Sequence, residues 1–416
     1  MNLYKSRLVL GWFLWSIVAI FYGLDYFQHT SPSVLIKPIA IDMGVGIERI
    51  AYIMSIYFPI YAISQLPAGI LLDKYKANVV LSISCLVMSL GIVLFVYDPS
   101  LYTMFIGRVL IAIGSAVAFI GTLKVAAEVL PEKYFSIAVG ITNTIGVLGG
   151  IFGQAVLEYL VEAYRWQGAL AIIGFFGIIW SLIILSFLKY SINIDNEDKQ
   201  LKFSKGLKLL INKKLWLIAI YSGLMVGIVV NSFSELYDVL FLEQVYQVST
   251  KIAANISIML FIGIAVGGPS HGFISLLVGK RLWMLICNLV TILAFSSVII
   301  FDNFISVSYL YIIFFIIGFS VSSMLLSFSI IEEIFPMQIK ATALAIVNMV
   351  IGLCGALFQY LISYISVYLN GGPLEVNLNV RVFDKAFIYL MLPLLLSTVI
   401  IVAIFLEKNK NISKSF

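Results

Sequence analysis

Apolar runs of about 20 residues, separated by short polar stretches, recur along the chain from Leu8 to Leu406. A helix of that length crosses a hydrocarbon core of ~30 Å. Run lengths and loop punctuation predict spans at 8–28, 50–71, 77–97, 101–123, 136–158, 167–188, 215–235, 253–275, 282–301, 305–330, 341–364 and 386–406. In lipid a helix satisfies its own backbone groups, so the pattern predicts an all-α membrane protein of twelve transmembrane helices. The run from Leu8 to about Tyr26 is too long for a signal-peptide core and is read as the first span, retained.

The longest polar break, 189–214, divides the chain into an N-terminal six-helix bundle (1–188), a linker (189–214) and a C-terminal six-helix bundle (215–416). The halves share an internal repeat. An offset of 205 residues places Glu128 on Glu333, Pro131 on Pro336, Asn143 on Asn348, Gly150 on Gly355 and Gln154 on Gln359. Two pseudo-symmetric bundles are therefore expected, with a substrate path near the bilayer midplane.

Composition agrees with a lipid solvent: 62% of the 416 residues are apolar and 11% charged, against roughly 25% charged in soluble domains. The net charge of +5 reads as topology rather than as a nucleic-acid-binding surface. Nineteen of the 26 basic residues fall on the side of the termini, which by the positive-inside rule places both termini in the cytoplasm. Cys85, Cys287 and Cys354 lie in apolar runs without metal-ligand spacing, so no disulfide framework and no metal site are expected. With only His29 and His271, and no phosphate-binding Gly-rich loop, neither enzyme chemistry nor direct ATP drive is indicated, and no cofactor is expected.

The segment Gly69-Ile-Leu-Leu-Asp73-Lys74-Tyr-Lys76, preceded by Leu66-Pro67-Ala68 and lying between spans two and three, resembles the signature loop of the major facilitator superfamily. There Gly69 permits close helix approach, and Asp73 can accept from helix N-termini or basic groups. The corresponding stretch Gly267 to Arg281 carries Leu276 and Leu277 where the family has an acidic and a basic residue, so only the first copy of that charge lock looks intact. Gly107-Arg108 to Gly114 in span four resembles a second family motif. Gly140, Gly149 and Gly153 match part of a drug-antiporter motif, but Gln154 stands where that motif has Pro. The end of span one, Gly121 to Lys124 and Phe261 to Pro269 are similar to a bacterial branch that includes phagosomal amino-acid transporters. The resemblance implies the superfamily fold and transport by alternating access.

Ionisable residues within spans are functional candidates. Arg108 either snorkels to the interface or meets a substrate anion or a carboxylate. Asp25 is the candidate proton carrier, with His29 one turn later on the same face as a possible partner; the alternative is a solvated rim, and the same choice applies to Glu235. Asn143, Gln154, Asn231, Asn348 and Gln359 suit either a polar substrate or interhelical bonding. Tyr57 and Tyr61 share a face of span two and can offer hydroxyls or rings. The expected function is secondary transport of a small polar metabolite, an amino acid or short peptide by preference, across a bacterial inner membrane by a proton-coupled monomer. The rivals are a proton-driven drug or metabolite exporter of the same fold and a membrane sensor.

Overall fold

The computed structural model describes residues 2–97, 100–188, 209–301, 304–370 and 381–406. Twelve helices among them are long and apolar enough to cross a membrane: Arg7–Thr30, Tyr52–Lys74, Ala77–Tyr97, Leu101–Val129, Glu132–Ile151, Val156–Leu188, Lys213–Glu235, Lys251–Val278, Lys280–Ile300, Val307–Ile334, Met337–Ile362 and Phe387–Ile404. Among the described residues there is no strand. Most of the expected linker, 189–208, lies outside the described residues.

Local chemistry sets the helix ends. Ser100 caps span four by accepting from the Thr103 amide at 3.2 Å, and the Thr103 hydroxyl oxygen accepts from the Ser100 amide at 2.9 Å, a reciprocal capping box. Asn212 caps span seven through the Leu215 amide at 3.1 Å. Spans five and six form one helical run, Glu132–Leu188, broken at Arg165, whose φ of 58° lies in the left-handed region. Asp42 holds this turn, accepting from Arg165 Nη2 and Gln167 Nε2 at 2.7 Å each and from Trp166 Nε1 at 3.1 Å.

The chain forms two compact units, one of Met1–Leu210 with Phe335–Ile346 and one of Ile211–Ile334 with Val347–Phe416. In the first, spans one and five approach so closely that a Cβ on Gly149 would lie 2.7 Å from the Gly23 carbonyl oxygen. The Thr30 hydroxyl crosses the same seam to the Gly150 carbonyl at 3.4 Å. In the second, spans seven and eleven repeat the arrangement: Ser232 donates to the Gly355 carbonyl at 3.5 Å. Gly150 and Gly355 are the pair related by the sequence offset, so the repeat is visible as equivalent packing within each unit.

Span seven widens over Gly227–Tyr237 into π-type winding, where the Ser232 hydroxyl reaches the Gly227 carbonyl five residues back at 2.7 Å.

Candidate functional site

The signature loop closes on the N-terminus of span eleven within the first unit. Asp73 Oδ1 accepts from the Ala341 amide at 3.0 Å and from Lys124 Nζ at 3.2 Å; Oδ2 accepts from the Thr342 amide at 2.8 Å and its hydroxyl at 2.6 Å. A carboxylate at a helix N-terminus satisfies amides that have no intrahelical partner. Gly69 makes the approach possible, since a Cβ there would lie 2.8 Å from Thr342 Cα. Lys124 also pairs with Glu128 at 3.6 Å. Lys74 is exposed and lies over the Tyr75 ring at 5.2 Å.

The stretch related to the signature loop in the second unit is built from neutral groups. His271 is fully buried; its Nδ1 accepts from Trp283 Nε1 at 2.8 Å, which leaves Nε2 to donate to the Phe319 carbonyl at 2.7 Å. Leu276 and Leu277 are exposed, and the nearby ion pair Lys280–Glu333, at 2.5 Å, sits toward the surface.

A second polar cluster lies inside the first unit, where spans one, two and four meet. Its centre is Arg108, 1% exposed. Its Nε donates to the Met54 carbonyl at 3.2 Å and its Nη2 to the Gln28 carbonyl at 3.3 Å, and its guanidinium lies 4.7 Å from the centroid of the Tyr57 ring. The sequence makes both carbonyls available. Four residues after Gln28 stands Pro32, which has no amide hydrogen to bond that carbonyl. Met54 lies in the last turn of the helix Ile47–Ser55, before a pause at Ile56, where carbonyls lack intrahelical donors. Snorkelling is therefore not the arrangement found.

Among the described residues no carboxylate forms an ion pair with Arg108. Its charge is held by carbonyl dipoles and one π-face, each worth less than a contacting anion. A guanidinium so arranged has the chemistry to accept a planar anion such as a carboxylate.

Asp25 faces the same tyrosine from the other side. Its Oδ1 accepts from the Tyr57 hydroxyl at 2.7 Å, and Tyr57 is fully buried. The expected partnership of Asp25 with His29 is not the bond found. His29 instead packs among rings, with centroids at 4.7 Å for Tyr57, 5.2 Å for Phe58, 5.3 Å for Tyr61 and 5.6 Å for Tyr26. Asp25 and Gln28 are buried while His29 is only half-buried, and its ring is taken up by the aromatic contacts of span two.

Three buried polar atoms here have no hydrogen-bond partner: Asp25 Oδ2, Gln28 Nε2 and Ser115 Oγ. Their residues are at most 1% exposed. Leaving such an atom unpaired costs about 1–3 kcal/mol, so their clustering beside Arg108 makes this a candidate site for a polar ligand or a proton. Ser115, on the face of span four that also carries Arg108, and the Gln28 amide are site residues that sequence reasoning missed. Ser115 had no motif to mark it; Pro32 following Gln28 was the available signal for that carbonyl.

The remaining candidates lie elsewhere. The Gln359 amide donates to the Asn231 carbonyl at 2.7 Å, an interhelical bond inside the second unit. Asn143 and Asn348 are half-buried, and Glu235 is exposed. Gln154 lies outside the residues whose side chains are described.

The sequence pattern of the Major Facilitator Superfamily matches residues 16–359. The chain is 25% identical over 195 residues to a probable sulfoacetate transporter of Cupriavidus necator, covering 47% of this chain and 44% of that protein. It is 24% identical over 181 residues to a galacturonate transporter of Dickeya chrysanthemi, covering 44% and 52%. The chain thus spans about half the length of these two relatives. A probable galactarate/D-glucarate transporter of Escherichia coli (strain K12) is 21% identical over 392 residues, covering 84% and 86%. Among solved structures, a bacterial homologue of the iron transporter ferroportin in an outward-facing state superposes with a TM-score of 0.71 at 10% identity, covering 94% of this chain and 98% of that one. FucP, in the outward conformation, gives 0.68 at 14% identity with the same coverage. These two likenesses show the fold. The chain belongs to the Major Facilitator Superfamily.

Proposed function

We propose that the chain carries a small organic anion bearing a carboxylate, together with a proton, across a bacterial inner membrane. The observation that supports this reading is Arg108: a buried guanidinium, bonded only to carbonyls and resting on a tyrosine ring, attracts an anion and discriminates against neutral and cationic solutes. Asp25 is the proton carrier, its second oxygen unpaired. Binding a proton there removes a negative charge from the neighbourhood of Arg108 and leaves the guanidinium more attractive to the incoming carboxylate.

The names of the relatives favour sugar acids and a sulfonated acid within this class, since galacturonate, D-glucarate and sulfoacetate are all small organic anions. An amino acid or short peptide, the preference drawn from sequence, shares the carboxylate but adds an ammonium group for which the cluster offers only Asp25. In this proposal two six-helix bundles, joined by the segment 189–214, alternate access in a monomer with both termini in the cytoplasm.

Counterflow in proteoliposomes loaded in turn with a hexuronate, an aldarate, sulfoacetate, an amino acid and a dipeptide tests the substrate class. Exchange of at least one small carboxylate is expected. Exchange of none of them sinks the proposal.

A further inference from the structure

Tyr57 belongs at once to the anion-binding and the proton-binding parts of the cluster. Its hydroxyl donates to Asp25 at 2.7 Å, and the face of its ring supports the Arg108 guanidinium at 4.7 Å. Among the described residues the aspartate and the arginine form no ion pair with each other, and Tyr57 contacts both. It has no freedom to do this casually: the side chain is fully buried, and the ring packs against Tyr61 at 5.5 Å, Phe58 at 5.6 Å and His29 at 4.7 Å.

Resting on the reading of function above, we propose that Tyr57 is a positioning residue that makes proton binding at Asp25 and anion binding at Arg108 depend on one another. A phenol that donates to an ionised carboxylate is polarised by that bond and carries more electron density on its ring, which strengthens its hold on a cation over its face. With Asp25 ionised, Tyr57 therefore holds Arg108 in place against its ring. When Asp25 takes a proton on its unpaired Oδ2, the acceptor at Oδ1 weakens, the hydroxyl bond loosens, and the ring releases part of its hold. Arg108 is then free to turn its N–H groups to a carboxylate. The sign of this linkage is that of symport: proton and anion each favour the binding of the other.

Other groups that face the carboxylate are accounted for. Tyr22, Tyr26 and His29 lie on its own helix, Tyr57 and Tyr61 on span two, Arg108 and Ser115 on span four. Span five meets this part of span one with Gly146, Gly149 and Gly150, and contributes no titratable side chain there among the described residues. Tyr57 touches both charges.

Tyr57→Phe keeps the ring and deletes the hydroxyl. In proteoliposomes it is expected to lower proton-gradient-driven carboxylate accumulation at least 10-fold more than it lowers counterflow, and to flatten the dependence of uptake KM on pH. Tyr57→His keeps a ring and an N–H donor, and is expected to shift that pH profile without abolishing it. The inference is overturned if Tyr57→Phe keeps the wild-type profile, if both transport modes fall in equal proportion, or if the Tyr57→His profile is unshifted. Its failure is distinct from failure of the functional reading, which shows instead as absence of carboxylate exchange by the wild-type protein.

Discussion

The two units bury polar groups by different means. In the first, the interior holds Asp25, Arg108, Asp73 and Lys124, none more than 7% exposed. In the second, the buried polar groups are mostly neutral. Asn288 bonds Ser397 at 2.7 Å and Thr398 at 2.8 Å, Ser222 bonds Ser327 at 2.8 Å, Thr291 bonds Ser320 at 2.9 Å, and His271 is held by an indole and a carbonyl. Among the described residues of the second unit, Asp238 is the charged residue buried as a whole, bonded by the Ser234 hydroxyl at 3.3 Å. The repeat preserved backbone packing, as the Gly150 and Gly355 seams show, but not the buried arginine: at the repeat offset Arg108 falls on Ile313. Hydroxyl and amide pairs satisfy one another and fix helix register. Buried charges carry a desolvation cost that shape alone does not require. The difference supports the proposal that the chemistry of transport lies in the first half.

The comparison breaks most directly at Arg108. Arg108→Gln removes the cation while leaving a hydrogen-bonding side chain, and the loss of a buried charge from its site is worth about 2–5 kcal/mol. Carboxylate uptake is expected to fall by roughly 100-fold or more, with the protein still monodisperse by size-exclusion chromatography. Uptake within a few-fold of wild type would contradict the assignment.

A smaller effect is expected at the signature loop, and it falls on stability. Asp73→Asn turns a carboxylate that accepts from Lys124, two amides and a hydroxyl into a neutral amide. Charged hydrogen bonds contribute about 1.5–3 kcal/mol each, part of which the amide oxygen keeps, so a fall of a few degrees in Tm in detergent is expected. The counterpart Lys280→Ala breaks a partly exposed pair and is expected to change Tm by less, since such pairs are worth about 0–1 kcal/mol. Equal effects at the two sites would remove the asymmetry on which the comparison rests.

Much of the fold was legible in the sequence because a membrane helix declares itself by local composition. All twelve spans follow from apolar runs, and Ser100 and Asn212 sit where caps are needed. Asp73 was legible as an acceptor for helix N-termini or basic groups; that it receives both at once depended on Thr342 and Lys124, which no local pattern joins. The candidate site was half legible. Arg108 and Asp25 stood out as charges in apolar runs, but which of 22 tyrosines contacts both is a matter of long-range packing, across 32 residues from Asp25 to Tyr57. Spacing suggested His29 as the partner because it is one turn away; the rings of span two took His29 and gave Tyr57 to the carboxylate. Gln359 suits either a polar substrate or interhelical bonding by sequence, and in the fold it donates to the Asn231 backbone carbonyl.

The most direct test of the central claim compares wild type and Asp25→Asn in proteoliposomes, measuring carboxylate accumulation driven by an imposed proton gradient alongside counterflow at equal pH. The account predicts that accumulation falls at least 10-fold more than counterflow, because Asn cannot take up and release the proton while Arg108 still meets the anion. Gradient-driven accumulation at the wild-type level in Asp25→Asn would contradict it.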